Sequence, residues 1–179
     1  MDRESMQRLT TAEIHNRMNN MHAHLKGDKR AGEEDLNDVL LDRITAADLC
    51  LDGIYAGGSI FLDCHFHNMD FYGGHFIDAV FRNCVITDSI FRKAMIADVQ
   101  FLHCKFVNCD FSRSEFMGAR IKYSTFENCD FSGIIFCNNK LFYSKMNISI
   151  AYSPAIDENS EQNVVWEITE TKSPLEGQP

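Results

Sequence analysis

From Phe61 to Met146 every fifth residue is large and apolar, in the series Phe61, Phe66, Phe71, Phe76, Phe81, Ile86 and onward through Phe131, Phe136, Leu141 and Met146. Thirteen of the fourteen phenylalanines share this phase, and Phe142 alone falls outside it. A period of five fits neither the 3.6 of a helix nor the 2 of a half-buried strand. Recurrence at a fixed spacing marks an internal repeat. Two positions before most of the large residues stands a small one, as at Ser59, Cys64, Gly74, Ala79, Cys84 and Ser89, with Met69, Val99, Ile134 and Asn139 as exceptions. One large and one small inward residue in five, with the other three outside, predicts a chain wound around a narrow axis. That is a β-solenoid.

The stretches Ala47-Asp48-Leu49, Cys109-Asp110-Phe111-Ser112 and Cys129-Asp130-Phe131-Ser132 resemble the A-[D/N]-[L/F]-x-x unit of pentapeptide repeat proteins. The resemblance implies an all-β fold: a right-handed quadrilateral β-helix, four pentapeptides to a coil, over about residues 37 to 150. Val39, Ile44, Leu49 and Ile54 extend the series upstream. Phe61 then follows Ile54 by seven residues, which places a two-residue insertion at Gly57-Gly58, where glycine suits a bulged corner. The count is twenty-two pentapeptides, or about five and a half coils.

The ends depart from the repeat. Thr10 and Glu13 have the spacing of a capping box, Ile14, Met18, Met21 and Leu25 follow at helical intervals, and Gly27 is a stop signal. This predicts a short N-terminal α-helix covering the first coil, whose strand groups otherwise lack partners. The expected organisation is a helical leader or cap over 1–34, the solenoid over 35–150, and an acidic tail over 151–179 with a short capping strand. All three prolines lie in that tail, as they must if the coils are joined by continuous backbone hydrogen bonds. Val164, Trp166 and Ile168 alternate as a strand does. Trp166 then either closes the last coil or serves as a recognition residue.

Charge narrows the function. The net charge is −9, which argues against direct nucleic-acid binding through a basic face. Residues 42–80 hold six acids and one base, Asp42, Asp48, Asp52, Asp63, Asp70 and Asp78 against Arg43, whereas residues 81–150 hold six acids and nine bases. The solenoid is acidic at its first end and mildly basic at its second. No run of eighteen apolar residues and no basic-then-apolar leader occurs, so the expectation is a cytoplasmic chain, bacterial or phage-encoded, with no membrane contact.

Candidate chemistry is sparse. At twenty residues per coil, Cys64, Cys84 and Cys104 stack in one inward column and Cys109 and Cys129 in another. They read as packing residues and not as a disulfide or metal set. His65, His67, His75 and His103 face outward. Stacked carboxylates such as Asp78 with Asp98, or Asp110 with Asp130, arise from the repeat itself. Neither a phosphate loop nor a nucleophile elbow is present, so no catalytic, cofactor or metal residues are assigned. The expected role is a non-enzymatic protein-binding module whose partner contacts include Asp48, Asp52, Asp63, Asp70, Asp78 and Trp166. The Qnr-type topoisomerase-protecting members of the family suggest an alternative, mimicry of DNA toward DNA gyrase. A duplex mimic needs about three negative charges per coil, and only residues 42–80 approach that density. An adaptor within a secreted effector is a further alternative, and an exposed coil end leaves room for a homodimer.

Overall fold

The computed structural model describes residues 6, 9–28, 34–151 and 154–171. The chain winds as a right-handed, four-sided β-solenoid of about six turns. Corresponding residues of successive coils lie twenty apart, as in the parallel pairs Leu41↔Phe61, Phe61↔Phe81, Phe81↔Phe101 and Phe101↔Ile121.

The four sides are named here in chain order. Face 1 is a seven-stranded parallel sheet running from Leu40–Asp42 to Ser160–Gln162. Face 2 has seven strands from Thr45–Ala47 to Val165–Glu170. Face 3 is joined by single bridges linking Cys50, Asp70, Ile90, Asp110 and Asp130. Face 4 has four strands from Met95–Ala97 to Ala155–Asp157, continued at its start by bridges through His75 to Tyr55.

In most pentapeptides the residue after the outward pair turns the corner in the left-handed region. Asp63, Asn68, Asp78 and Asn83 have φ of 53°, 50°, 58° and 54°. Asn and Asp tolerate this conformation because their short polar side chains bond locally. Here Asn68 Nδ2 donates to Asp48 Oδ1 at 2.7 Å and Asn83 Nδ2 to Asp63 Oδ1 at 2.9 Å, one coil away in each case.

The large column fills the interior with stacked rings, Phe61 on Phe81 at 4.2 Å and Phe106 on Phe126 at 4.7 Å between centroids. The small column has a second task. Its backbone N–H points inward, and side chains of the next coil accept it: Met69 N–H to Ser89 Oγ at 3.1 Å, Cys104 N–H to Ser124 Oγ at 3.0 Å, Ala119 N–H to Asn139 Oδ1 at 2.8 Å. Asn139, an exception to the small rule, thus does what serine does elsewhere, and its Nδ2 donates to the Phe116 carbonyl at 3.1 Å. Among the described residues no buried side-chain nitrogen or oxygen is left unpaired, as the cost of burying polar groups requires.

The first coil corrects the sequence reading. Left-handed corners recur every five residues through Asp38, Arg43, Asp48, Gly53, Gly58 and Asp63, so Gly57-Gly58 is not an insertion. The size difference between the two inward columns is instead reversed at Ile44/Ala46 and Ile54/Ala56 and largely lost at Val39/Leu41 and Leu49/Leu51. Val39, Ile44, Leu49 and Ile54 stand in the small column, and Leu41, Ala46, Leu51 and Ala56 in the large one, as the pairs Leu41↔Phe61 and Ala46↔Phe66 establish. Volume is conserved across the coil, so the winding need not change. The two packings meet at Gly74, where a Cβ would lie 2.8 Å from Phe76 Cε2 and 3.1 Å from Ile54 Cγ2.

Helix α1 (Thr11–Leu25) begins at the Thr10/Glu13 capping box. It buries Ile14, Met18 and Met21 in the same core as the coils, while Leu25 stays 42% exposed. His22 ties it to the first coil, its Nδ1 accepting the Cys50 N–H at 2.7 Å, and His15 Nε2 lies 2.9 Å from the Thr45 carbonyl.

Past residue 150, where the sequence reading ends the solenoid, the winding runs on through Ala155–Asp157, Ser160–Gln162 and Val165–Glu170, each paired with the coil before it. A bulge precedes this coil, because Cys129 pairs with Ile148, nineteen residues on. These strands lacked the phenylalanine signal: Ile156, Glu161 and Trp166 occupy the large column.

Candidate functional site

With the interior occupied by side chains, outward positions carry whatever chemistry the molecule has. The five acids assigned to partner contact do not form one surface. Asp52 and Asp70 lie on face 3, where Asp70 Oδ1 accepts the Tyr72 N–H at 3.0 Å, and Asp48 stands at the adjoining corner with φ 60°. Asp63 turns the corner between faces 1 and 2, and Asp78 the one between faces 4 and 1. Face 3 therefore collects Asp48, Asp52 and Asp70 and continues through Asp110 and Asp130, whose side chains cap Ser112 N–H and Ser132 N–H at 2.8 Å each. Arg92 Nε donates to Asp110 at 3.0 Å and partly offsets that column.

Trp166 is partly buried. Its ring meets Phe136 edge-on at 6.1 Å and its Nε1–H donates to Glu161 Oε2 at 2.9 Å. The indole lies over the end of the phenylalanine stack.

The cysteine columns form as the spacing predicts, and all seven thiols are free. The Cys84 thiol and then burial push Cys64 and Cys104 far above the ordinary thiol range, and Cys109 does the same to Cys129. Protonated thiols suit the bonds they make, Cys64 Sγ to the Leu41 carbonyl at 3.4 Å and Cys129 Sγ to the Phe106 carbonyl at 3.8 Å. His67 Nδ1 lies 2.9 Å from Thr87 Oγ1 and 3.3 Å from Asp88. His75 stacks on Tyr55, and His103 on Tyr123.

Two surfaces escaped the residue-by-residue reading of the sequence. From its third strand onward face 1 gathers Arg82, Arg120, Lys122 and Lys140, which form no ion pair among the described residues, beside a ring ladder in which His103, Tyr123 and Tyr143 stack at 4.9 and 5.2 Å. A shallow, open depression of about 320 Å³ lies there, lined by Arg82, Leu102, His103, Lys122 and Tyr123. Face 4 is apolar, with Tyr55, Ile77, Met117 and Ile135 exposed by 56, 40, 41 and 39%. Both were visible in the sequence once columns are read every twenty residues. Face 2, by contrast, is laced by ion pairs, Lys105–Glu127 and Lys145–Glu167, each at 3.0 Å.

The pentapeptide repeats family pattern matches residues 96–133 in eight copies. That segment is a run of pentapeptide repeats. No curated protein sequence matches it. Of solved structures, 28 chains match. The chain is similar to full-length QnrB1, a plasmid-mediated fluoroquinolone resistance protein, at 13% identity and TM-score 0.46, covering 77% of this chain and 88% of that one. A trypsin-treated QnrB1 variant gives 12% identity and TM-score 0.48, with 78% and 88% covered. HetL, a pentapeptide repeat protein involved in heterocyst differentiation regulation from the cyanobacterium Nostoc sp. strain PCC 7120, gives 8% identity and TM-score 0.38, with 89% and 94% covered. No helix among the described residues is long and apolar enough to cross a membrane.

Proposed function

We propose that the protein is a non-catalytic binding module that presents a rigid outer face to a protein partner. The observation that carries this reading is the filled interior: Phe106, Phe111, Phe116 and Phe126 are each 0% exposed. Substrate-sized cavities are where catalysis is ordinarily built, and here the axis is occupied by the core. The proposed contact surface is face 3 with its corner, Asp48, Asp52 and Asp70; Trp166, on the last strand of face 2, is a separate contact at the far end of the rod. Asp63 and Asp78 join face 3 only for a partner that wraps around corners. A partner held by these carboxylates binds through charge, so its affinity falls as salt rises. Affinity capture tests this with the triple variant Asp48→Lys, Asp52→Lys and Asp70→Lys beside the unchanged protein. A partner retained equally by both removes face 3 from the reading.

A second reading, regulation of a type II topoisomerase through mimicry of DNA, is favoured by the column of carboxylates down face 3 and by the sequence resemblance to Qnr-type proteins. Its test is supercoiling of relaxed plasmid by DNA gyrase, with the protein titrated in, with and without a fluoroquinolone. Inhibition or protection that disappears in the triple variant supports mimicry. A reaction unchanged by the protein ends this reading and leaves the first intact.

A further inference from the structure

Face 4 differs from the other three sides. Its outward positions from Tyr55 to Asp157 include neither Lys nor Arg, and large apolar side chains stand on it in the open. A contiguous apolar strip on a soluble surface marks an interaction site. Apart from Glu115 and Asp157 on the face itself, charges of opposite sign sit on its two edges. Lys93 and Arg113 turn the corner where face 3 becomes face 4, with φ of 59° each, and Asp78 and Asp98 turn the corner where face 4 becomes face 1, with φ of 58° and 55°.

We infer that face 4 is a self-association surface that pairs with the same face of a second copy, the two solenoids side by side and parallel. A twofold axis along the rods places the column nearest the basic edge of one copy against the column nearest the acidic edge of the other. At three of the six levels a large apolar residue then meets a smaller one two positions on: Tyr55 meets Gly57, Met95 meets Ala97, and Ile135 meets Cys137, while His75 meets Ile77, Glu115 meets Met117 and Ala155 meets Asp157. The edges match by the same operation, because Lys93 of each copy comes opposite Asp98 of the other. The contact is isologous, so every pairing occurs twice. Antiparallel pairing of the same faces brings the two acidic edges together and the two basic edges together, and like charges there oppose it. Lys93 also lies 5.3 Å over the Tyr72 ring of its own chain, a contact on face 3 that leaves the exposed ammonium at the edge.

Size sets the strength. Six levels at about 4.8 Å and five residues at about 3.3 Å make a face of about 29 by 17 Å, so the pair buries about 1,000 Å² in total, at the low end for a specific complex. The dimer is accordingly weak and concentration-dependent. This inference is independent of the partner proposed above, which contacts the neighbouring face 3.

Sedimentation equilibrium of the full chain across a range from micromolar to about millimolar tests it, with circular dichroism confirming that each variant folds. The expected result is a reversible dimer. Met95→Lys, at a partly exposed outward position in the middle of the face, weakens it at least about tenfold. Lys93→Asp and Asp98→Lys each weaken it about threefold to tenfold, and the double variant Lys93→Asp/Asp98→Lys restores it to within about threefold of the original. A protein that stays monomeric throughout overturns the inference. So does a dimer that survives Met95→Lys but is lost in Trp166→Ala, since that pattern belongs to coils joined end to end. Failure of the double variant to recover removes the parallel arrangement.

Discussion

At its first end the solenoid is closed by a separate element: α1 lays Ile14, Met18 and Met21 on a coil packed with Val39, Ile44, Leu51 and Ile54, all of them 0 to 6% exposed. At its last end the chain only keeps winding with weaker residues, and Ile156, Val165 and Ile168 remain 42, 54 and 51% exposed above a single indole. Between these ends lie the coils of stacked phenylalanine. The difference teaches that one backbone path accepts three kinds of filling. What recurs through the winding is a left-handed corner at nearly every fifth residue, absent at Ile148 and Ile168, and an acceptor or a close-packed neighbour for the inward N–H; the identity of the large side chain is secondary.

The strongest way to break that comparison is to empty the middle. Phe106→Ala removes a ring that is 0% exposed and is expected to cost about 3–5 kcal/mol in urea unfolding. Trp166→Ala, at the weakly packed end, is expected to cost under about 2 kcal/mol; an equal loss at both sites denies that the last coil is the looser one. Gly74→Ala probes the junction of the two packings. The added methyl meets Ile54 and Phe76 and is expected to cost about 1–3 kcal/mol, part of which Ile54→Ala returns because the two side chains share one space. No recovery in the double variant sinks the exchanged-column account of the first coil. Thr10→Ala, which removes the cap of α1, is expected to cost about 1 kcal/mol, read from helical signal and unfolding midpoint together.

The smallest expected effect is on pH. The Thr10 backbone N–H and then its hydroxyl hold the Glu13 carboxyl below the usual glutamate range. A depressed folded-state value means that the contribution is present at neutral pH and is lost as the pH falls through it. Loss of α1 signal on acidification is therefore expected in the parent chain and flattened in Glu13→Gln, which keeps the hydrogen bond without the charge. The same slope in both chains assigns the acid sensitivity elsewhere.

Where phenylalanine carries the period, the fold is legible in the sequence: the five-residue repeat and the helix with its cap follow from spacing, and the twenty-residue register and the cysteine columns follow from what the family resemblance implies. Legibility fails at both ends for different reasons. In the first coil large residues occupy the wrong column, so a reader following size slips by two positions and inserts Gly57-Gly58 to recover. In the last coil Glu161 and Trp166 stand where phenylalanine is expected, and the signal vanishes although the corners persist at Glu158 and Asn163. The corner residues were the better guide, because backbone conformation is demanded at nearly every turn while side-chain volume is only summed over a coil. The acids were legible as a cluster along the chain and misleading as a surface, since consecutive corners point in four directions.

The constant twenty-residue register carries one more consequence. Because residue n sits on residue n minus twenty through most of the rod, its length is a quantised variable, adjustable in whole turns with neither face nor corner reassigned. A deletion of residues 81–100 lands Phe101 on Phe61 and is expected to give a shorter rod with every column intact. Deletion of ten residues swaps opposite faces, and deletion of seven destroys the columns. For a gene, such a protein is a ruler that duplication and loss can recut one notch at a time.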